Sequence, residues 1–476
     1  MTTPRTTDAL QPSLRWVHLP VEVKVREFQS RLFLACSAAE RGYGAVIGAK
    51  SKLADLALDL PTGIYVEKSS QRPIEGHQAR RAMGHLVCCL DEEGFVYIDA
   101  DEYAASRLDH DSQDLLERTF TWGDDQADVV ARFHPPTADR IRVTGNPRVD
   151  LWRPELRTIY QDEADALTAQ HGGFVLVPTA LAVVNNSRGP DFFLHRVAEN
   201  GMLDTPEKAQ LVHGYIEHSR AIFEALCKAV VRLAEAVPDR QVIIRPHPSE
   251  DLAPWEEAAA AADNLSVVHE GPVTPWLQAA AAVVHNNCTT GVEAFLMGRP
   301  TIAYAPRQDR RYDQNVPNRI SRLATDEDEL IDMVRASLDG TAPAPTAAAL
   351  DLLGHHISAL DGPFAATRLV DAFDELDVPE EQLVSSPGRR ARRKLRMLPL
   401  RGRRLGRVAA ERVTSRTAED RSGRVGAAGK FPGSSLAEVV ELIHRFSGAT
   451  GRFTDLDCFE IRPDVYAITP GTATSG

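Results

Sequence analysis

The chain of 476 residues has no apolar run near the ~18 residues that a membrane span requires. Its first fifteen residues, MTTPRTTDALQPSLR, lack the apolar core of a secretory signal. The six cysteines (Cys36, Cys88, Cys89, Cys227, Cys288 and Cys458) form no Cys-x-x-Cys pair, which argues against a zinc knuckle or a disulfide framework. No internal repeat of 20–50 residues marks a solenoid or propeller. Together these absences point to a cytoplasmic globular protein.

What is present fits that class. A hydrophobic fraction of 43% and a charged fraction of 25% are globular values, and the length calls for more than one core. The net charge of −13 is unevenly spread. Residues 387–430 hold fifteen Lys/Arg against three acids, a net +12, which leaves −25 for the remainder.

Along the first half, short apolar runs alternate with helical spacing. Strands are expected at Leu14–Leu19, Ala45–Ile47, Gly63–Glu67, Leu86–Leu90, Phe95–Ile98 and Ile141–Thr144. Helices are expected at Val25–Arg41, Ser51–Leu58, Leu115–Thr121 and Asp124–Arg132. After a polar stretch at Arg153–Gly173 a second series begins: strands at Phe174–Pro178, Gln241–Arg245 and Leu265–His269, and helices at Glu207–Val237, Trp255–Ala262 and Thr274–Ala282. Strands alternating with helices imply parallel sheets. The fold class is therefore α/β, with two Rossmann-like parallel-sheet domains facing a cleft. The expected division is an N-terminal domain over 14–150, a linker over 151–173, a C-terminal domain over 174–384, a basic linker over 385–430 and a small C-terminal α/β module over 431–476.

Two segments of the second series carry chemistry. Val242-Ile-Ile-Arg-Pro-His-Pro-Ser-Glu250 is a β-branched strand that breaks at His247-Pro248. Val283–Tyr304 reads strand, polar loop, helix, strand, and places His285, Asn286, Asn287, Thr289 and Thr290 at a strand's C-terminal end. Ligands of open α/β sheets bind there, and a helix start with hydroxyls suits a phosphate. Arg245 precedes a proline and has either an acid or a phosphate as partner. The plainer readings are an N-cap for the threonines, a loop hydrogen bond for His285, and a surface helix position for Glu293.

The run Gly291-Val-Glu-Ala-Phe-Leu-Met-Gly-Arg-Pro300 resembles the GxxxxEAxxxGxP pattern of GT-B glycosyltransferases, over roughly residues 14–340. Sugar-nucleotide epimerases and glycerol-phosphate polymerases share that scaffold. Glu92-Glu93-Gly94, His247-Pro248 and Thr289-Thr290 resemble, in order, the three motifs of bacterial sialyl- and polysialyltransferases and capsule Kdo transferases. The turn GNPRVDLWRPE, residues 145–155, resembles that of bacterial surface carbohydrate biosynthesis proteins.

The resemblance implies a transferase acting on a nucleotide-sugar donor, CMP-activated and carrying a nonulosonate or Kdo-like acid, with a glycan or lipid-linked glycan as acceptor. Glu92, with Glu93 or Asp91 as alternatives, would be the general base. His247 would serve the leaving phosphate, and Arg245, Pro248, His285, Asn286, Thr289, Thr290, Gly291 and Glu293 would form the donor site, Glu293 at the ribose hydroxyls. One phosphate needs no metal bridge, so neither metal nor cofactor is expected. This chain departs from the family in having threonine twice where serine is frequent, and in the inserted stretch Val183–Thr205. There Asn185, Asn186, Arg188 and His195 are candidate contacts.

The alternatives are a CDP-polyol phosphotransferase of teichoic-acid type and a catalytically inactive GT-B scaffold. The basic strap, through 388–407, suits an anionic membrane surface. No nucleic-acid fold accompanies it, and its bland reading is a solvated tether.

Overall fold

The computed structural model describes residues 10, 13–71, 74–199, 201–378, 388, 391, 393–395 and 430–471. They fall into two compact units. The first is drawn from Met1–Phe95, Ala100–Leu156 and His355–Gly476, the second from Val96–Asp99 and Arg157–Gly354.

The first unit is built on β1 (Arg15–Val21), β2 (Tyr43–Ala49), β3 (Ile64–Glu67), β4 (Leu86–Leu90), β5 (Arg118–Thr121) and β6 (Ile141–Val143). All neighbours are parallel, in the order β2-β1-β3-β4-β5-β6. β2 and β3 lie on opposite sides of β1, so the direction of winding reverses at the β1–β3 boundary. The second unit carries β7 (Val175–Pro178), β8 (Val242–Arg245), β9 (Leu265–Val267), β10 (Ala282–His285), β11 (Thr301–Tyr304) and β12 (Arg322–Ala324). Their order is β12-β11-β10-β7-β8-β9, again all parallel, with the reversal between β7 and β10. Strands such as VIIR and AVVH are buried along their whole length. That is why they read as continuous apolar runs rather than alternating ones. Both units are thus Rossmann-like α/β layers.

The structure revises several expected elements. Phe95–Ile98 is not a strand: Phe95 turns inward and stacks on Trp122, ring centroids 4.2 Å apart. Arg118–Thr121, which has helical spacing, is β5, because β4 and β6 pair with it on both sides. The polar stretch 153–173 is no simple linker, since it contains the helix Gln161–His171. Helices Glu75–Ala82 and Ala100–Arg107 and strand β12 add elements that spacing alone does not disclose.

The C-terminal quarter, from His355, returns to the first unit. Helix Ala365–Asp374, expected in the 174–384 domain, starts on Asp150, whose carboxylate accepts from the amides of Ala365 (2.7 Å) and Ala366 (2.9 Å). Phe373 then packs on Tyr43 and Phe120. Residues 431–471 are likewise no separate module. β13 (Leu456–Arg462) and β14 (Val465–Pro470) form a hairpin, and β14 pairs antiparallel with β2, giving an eight-stranded sheet. Helix Leu436–Thr450 places Phe446 against Phe33, 5.3 Å between centroids.

The hairpin lies so close to β2 that a Cβ on Gly48 would sit 2.2 Å from the Asp464 carbonyl oxygen. Gly48→Ala must therefore push the hairpin off. It is expected to lower stability by about 1–3 kcal/mol, the usual range for overpacking, read as a lower urea midpoint.

Most of the expected basic linker, 385–430, lies outside the described residues. Within it, Arg393 is buried and donates to the carbonyls of Ala57, Leu58 and Leu60 at 3.5, 3.1 and 2.8 Å. That guanidinium is occupied by the first unit and is not offered to a lipid surface, whereas Leu395 is exposed. No helix among the described residues is long and apolar enough to cross a membrane.

Candidate functional site

In the first unit the C-terminal ends of β1, β2, β3 and β4 surround a cavity of about 360 Å³. Glu22, Lys50 and Lys68 follow β1, β2 and β3 directly, and Glu67 is the last residue of β3. Arg26, His77, Arg80, Glu92, Glu93 and Arg107 complete the wall. Almost every charge is answered within it. Lys68 meets Glu22 at 2.9 Å and Glu27 at 3.4 Å, and Glu67 lies 3.5 Å from Lys50 and 3.8 Å from Arg80.

The Asp-Glu-Glu-Gly run divides its labour here. Asp91 is fully engaged: its carboxylate takes Arg107, the Tyr103 hydroxyl at 2.8 Å and the Glu93 amide at 3.1 Å. Its carbonyl takes the Trp122 indole N–H at 2.6 Å. It is a hub of the turn, which removes it as an alternative base. Glu92 is 1% exposed and held by Arg31 at 2.8 Å through Oε1, and Oε2 has no hydrogen-bond partner. Glu93 is half-buried and paired with Arg26. Burial works against its ionisation, but Arg26, then Arg148 and Arg107, hold the carboxyl below its ordinary range. Gly94 permits the turn, because a Cβ there would lie 2.2 Å from the Gln126 amide.

The turn at residues 145–155 serves the fold. Asn146 caps the short helix Pro147–Asp150, Arg148 lies over Trp122 and Trp152, and Arg153 donates to the carbonyls of Ala359 and Gly362. It clamps the returning C-terminal segment onto the first unit.

In the second unit, pairing sets Arg245, Pro178 and His285 level on β8, β7 and β10. The loops after them leave one edge of the sheet, about 4.8 Å apart per strand. His247 is exposed. Its Nδ1 accepts from the Ser249 amide at 3.2 Å, which in a neutral ring puts the proton on Nε2. Pro248 holds the exposed turn behind it.

Glu250, which the sequence reading passed over, positions this loop. It is 3% exposed and accepts from Thr179 Oγ1 (2.8 Å), the Leu181 amide (3.0 Å), the His247 amide (3.2 Å) and the Trp255 indole (3.0 Å). The inserted stretch docks on the same loop. Asn186 bridges Glu250, and the Asn185 side chain donates to the Asp251 carbonyl. Asn185 and Asn186 therefore hold the loop, and Arg188 lies on Phe192 at 4.9 Å. His195 is exposed on helix Phe192–Glu199.

Several expected donor contacts prove to be internal. Arg245 donates to the carbonyls of Glu270 and Gly271 and lies over Trp276; with no carboxylate beside it, burial lowers its guanidinium to about 10. His285 is fully buried and meets Ser321 Oγ at 2.8 Å, and burial pushes it down to about 4. Gly291 is required beside it, because a Cβ would come 2.4 Å from Nε2. Asn286 donates to the Tyr304 carbonyl. Glu293, expected at the ribose, is 5% exposed and sits on the buried side of its helix.

The elements left at the surface of the edge are Thr289 and Thr290. Both are half-buried at the start of helix Thr289–Leu296, where the N-cap Cys288 caps none of the first amides and its Sγ meets the Thr290 hydroxyl at 2.6 Å. Asn287, at φ +46°, makes the left-handed turn into that start. The helix opens beside the β7–β10 reversal, the position where such sheets bind ligands. Among the described residues no group of three or more His, Cys, Asp or Glu side chains is placed to hold a metal ion.

No protein-family model matches the chain, and no curated protein matches it. Solved structures do. UDP-GlcNAc 2-epimerase from Methanocaldococcus jannaschii aligns at 11% identity and TM-score 0.47, over 76% of this chain and 99% of that one. The enzyme from Neisseria meningitidis, bound to UDP-GlcNAc, aligns at 10% identity and TM-score 0.46, over 76% and 99%. The wall teichoic acid polymerase TagF aligns at 11% identity and TM-score 0.49, over 79% and 92%.

Proposed function

We propose that the chain is a GT-B-type transferase of surface-polysaccharide assembly, with the second unit holding a nucleotide-activated donor and the first an acceptor. The observation that carries this reading is the start of helix Thr289–Leu296, which lacks a side-chain cap and opens at the β7–β10 reversal. The amides of a helix start and the partial positive charge of its dipole favour an anion. The Thr289 hydroxyl flanks it, the Thr290 hydroxyl is shared with Cys288 Sγ, and the His247 loop leaves the same edge two strands away.

The chemistry divides between the units. His247, with its proton on Nε2, donates to the departing phosphate, and each preorganised donor of this kind contributes about 2.7–4 kcal/mol in favourable sites. A first-unit carboxylate, Glu92 by motif position, takes the proton of the acceptor hydroxyl as it attacks. The finer assignment is a CMP-linked ulosonate donor. It rests on the order of the three motifs and on the resemblance of residues 145–155.

The test is a thermal-shift panel of CMP, CDP, UDP and GDP. A nucleotide at 100 times its Kd stabilises by about 2.7 kcal/mol, so cytidine nucleotides are expected to raise Tm by several degrees. Selective stabilisation by UDP or GDP removes the ulosonate assignment. His247→Ala, an exposed position, is expected to leave Tm within 2 °C and to cut turnover about 10²–10³-fold. Full polymer production by that variant sinks the transferase reading in favour of an inactive scaffold.

A further inference from the structure

We propose that the loop after β11, residues 306–316, is a second anion-binding element of the donor unit. In it Arg307 and Arg310 receive a second negative group of the nucleotide ligand. The inference rests on the donor reading above and deepens it.

The loop leaves the sheet at the donor edge, since His285 and Ala303 are level on β10 and β11. It is bolted to the loop that precedes the threonines. The Asn287 side chain donates to Asp313 at 2.9 Å, Asn287 Oδ1 accepts from the Gln314 amide at 3.2 Å, and the Asn287 amide donates to Asn318 at 2.8 Å. Asp313 is fixed in turn by His218 Nε2 at 3.0 Å and by the Asp309 amide at 2.7 Å. Tyr312 is buried near the His218 ring, and its hydroxyl occupies the space that a Cβ on Gly214 would take, 2.0 Å away.

Three arginines ride on this anchored loop, all exposed: Arg307, Arg310 and Arg311. Arg311 is engaged, forked onto Asp309 at 3.0 and 2.6 Å and lying over Tyr312. The nearby acids, Asp309 and Asp313, are thereby taken by Arg311 and His218. Arg307 and Arg310 make no ion pair or hydrogen bond with any described residue. Two guanidiniums without counter-ions, on a loop that cannot slacken, suit a planar or tetrahedral anion. The helix start answers one phosphate. A ligand with two anionic groups uses both elements. It is either a nucleoside diphosphate or a nucleoside monophosphate linked to a sugar carboxylate.

Calorimetric titration with CMP, CDP and a CMP-linked ulosonate, at one ionic strength, separates these. The unaltered protein is expected to bind at least one of the two doubly anionic ligands about tenfold tighter than CMP. In R307Q/R310Q that advantage should fall about tenfold, while the Kd for CMP changes less than threefold. Loss confined to CDP assigns the second group as phosphate; loss confined to the ulosonate assigns it as carboxylate. Arg240→Gln, at the opposite end of the strands, is the charge control, and an equal loss there overturns the proposal. Equal binding of all three ligands by the unaltered protein, or an unchanged advantage in the double variant, overturns it and leaves the donor reading standing. Failure of CMP to bind at all removes both.

Discussion

Glu92→Ala is expected to destabilise the first unit by about 3–5 kcal/mol. Arg31 and Glu92 are both about 1% exposed, and Arg31 Nε and Nη1 have no other hydrogen-bond partner. Removing the carboxylate leaves a buried guanidinium with no hydrogen-bonded carboxylate and only Glu27 acting on it through space, the costly way to break a buried pair. Arg31→Ala takes the hydrogen-bonded partner from Glu92 and leaves it only the through-space attraction of Arg26. Glu92→Gln keeps the shape and an acceptor oxygen, so its cost is smaller, about 1.5–3 kcal/mol.

The amide also separates structure from catalysis. A general base contributes about 10²–10⁴-fold, so Glu92→Gln should fold, bind cytidine nucleotides as before, and lose at least 10²-fold in transfer. Urea midpoints and single-turnover assays on the same preparation read the two effects. If Glu92→Gln loses stability but transfers at the normal rate, Glu92 is the counter-ion of Arg31 and nothing more. The base is then to be sought at the half-buried Glu93. The geometry sharpens the choice, because Glu92 keeps Oε2 without a partner whereas Asp91 has both oxygens engaged.

The parallel strands were legible because burial on both faces leaves a signature in composition: VIIR and AVVH have nothing else to be. The helix start at Thr289 was legible because a polar break between a buried strand and an apolar helix has few conformations open to it. Pairings across long stretches of chain were not legible. Arg31 and Glu92 lie 61 residues apart, Thr179 and Glu250 71, and Asp150 and Ala365 215. No local pattern marks which acid meets which base.

The same limit explains why His285 and Arg245, placed at strand ends by the sequence, turn out to face the interior. A strand end fixes position along the chain, but the direction of a side chain depends on what packs above it. Glu250 shows the reverse case. Four residues after a proline, in an exposed-looking run, it is the acceptor on which the His247 loop is hung. The rule that residues just after parallel strands line the ligand edge would have found Glu22, Lys50 and Lys68, had it been applied to the first unit as it was to the second.

Acidification should weaken the second unit through one buried histidine. An unfolded histidine takes up a proton near pH 6.5. His285, buried without a charged partner, does so only near 4. Its folded pKa lies below its unfolded value, so stability is intact above pH 6.5 and is lost as pH falls through the interval, at about 1.36 kcal/mol per unit. By pH 4 that is about 3 kcal/mol. Asp313, held below its ordinary range against burial by the His218 hydrogen bond, loses stability in the same direction.

The first unit contains opposing groups. Burial lowers His18 to about 3 and pushes His85 well down, which costs stability in acid. Burial also raises Asp150 to about 7 despite the two amides it accepts. A carboxyl with a raised folded pKa weakens the fold above that value. Protonation between pH 7 and 4 therefore returns up to about 4 kcal/mol, which offsets His18 but leaves the cost at His85 standing. Fluorine-labelled tryptophan resolves the units, since Trp16, Trp122 and Trp152 lie in the first and Trp255 and Trp276 in the second. Between pH 7 and 4.5 the urea midpoint read at Trp255 and Trp276 is expected to fall by about 1–2 M, and protonation of Asp150 limits the fall read at Trp16 and Trp122. Asp150→Asn removes the opposing contribution, and the first unit's midpoint should then fall further with acid. Midpoints at all five indoles that do not move with pH, with or without Asp150→Asn, would show that these buried groups titrate as they do in the unfolded chain.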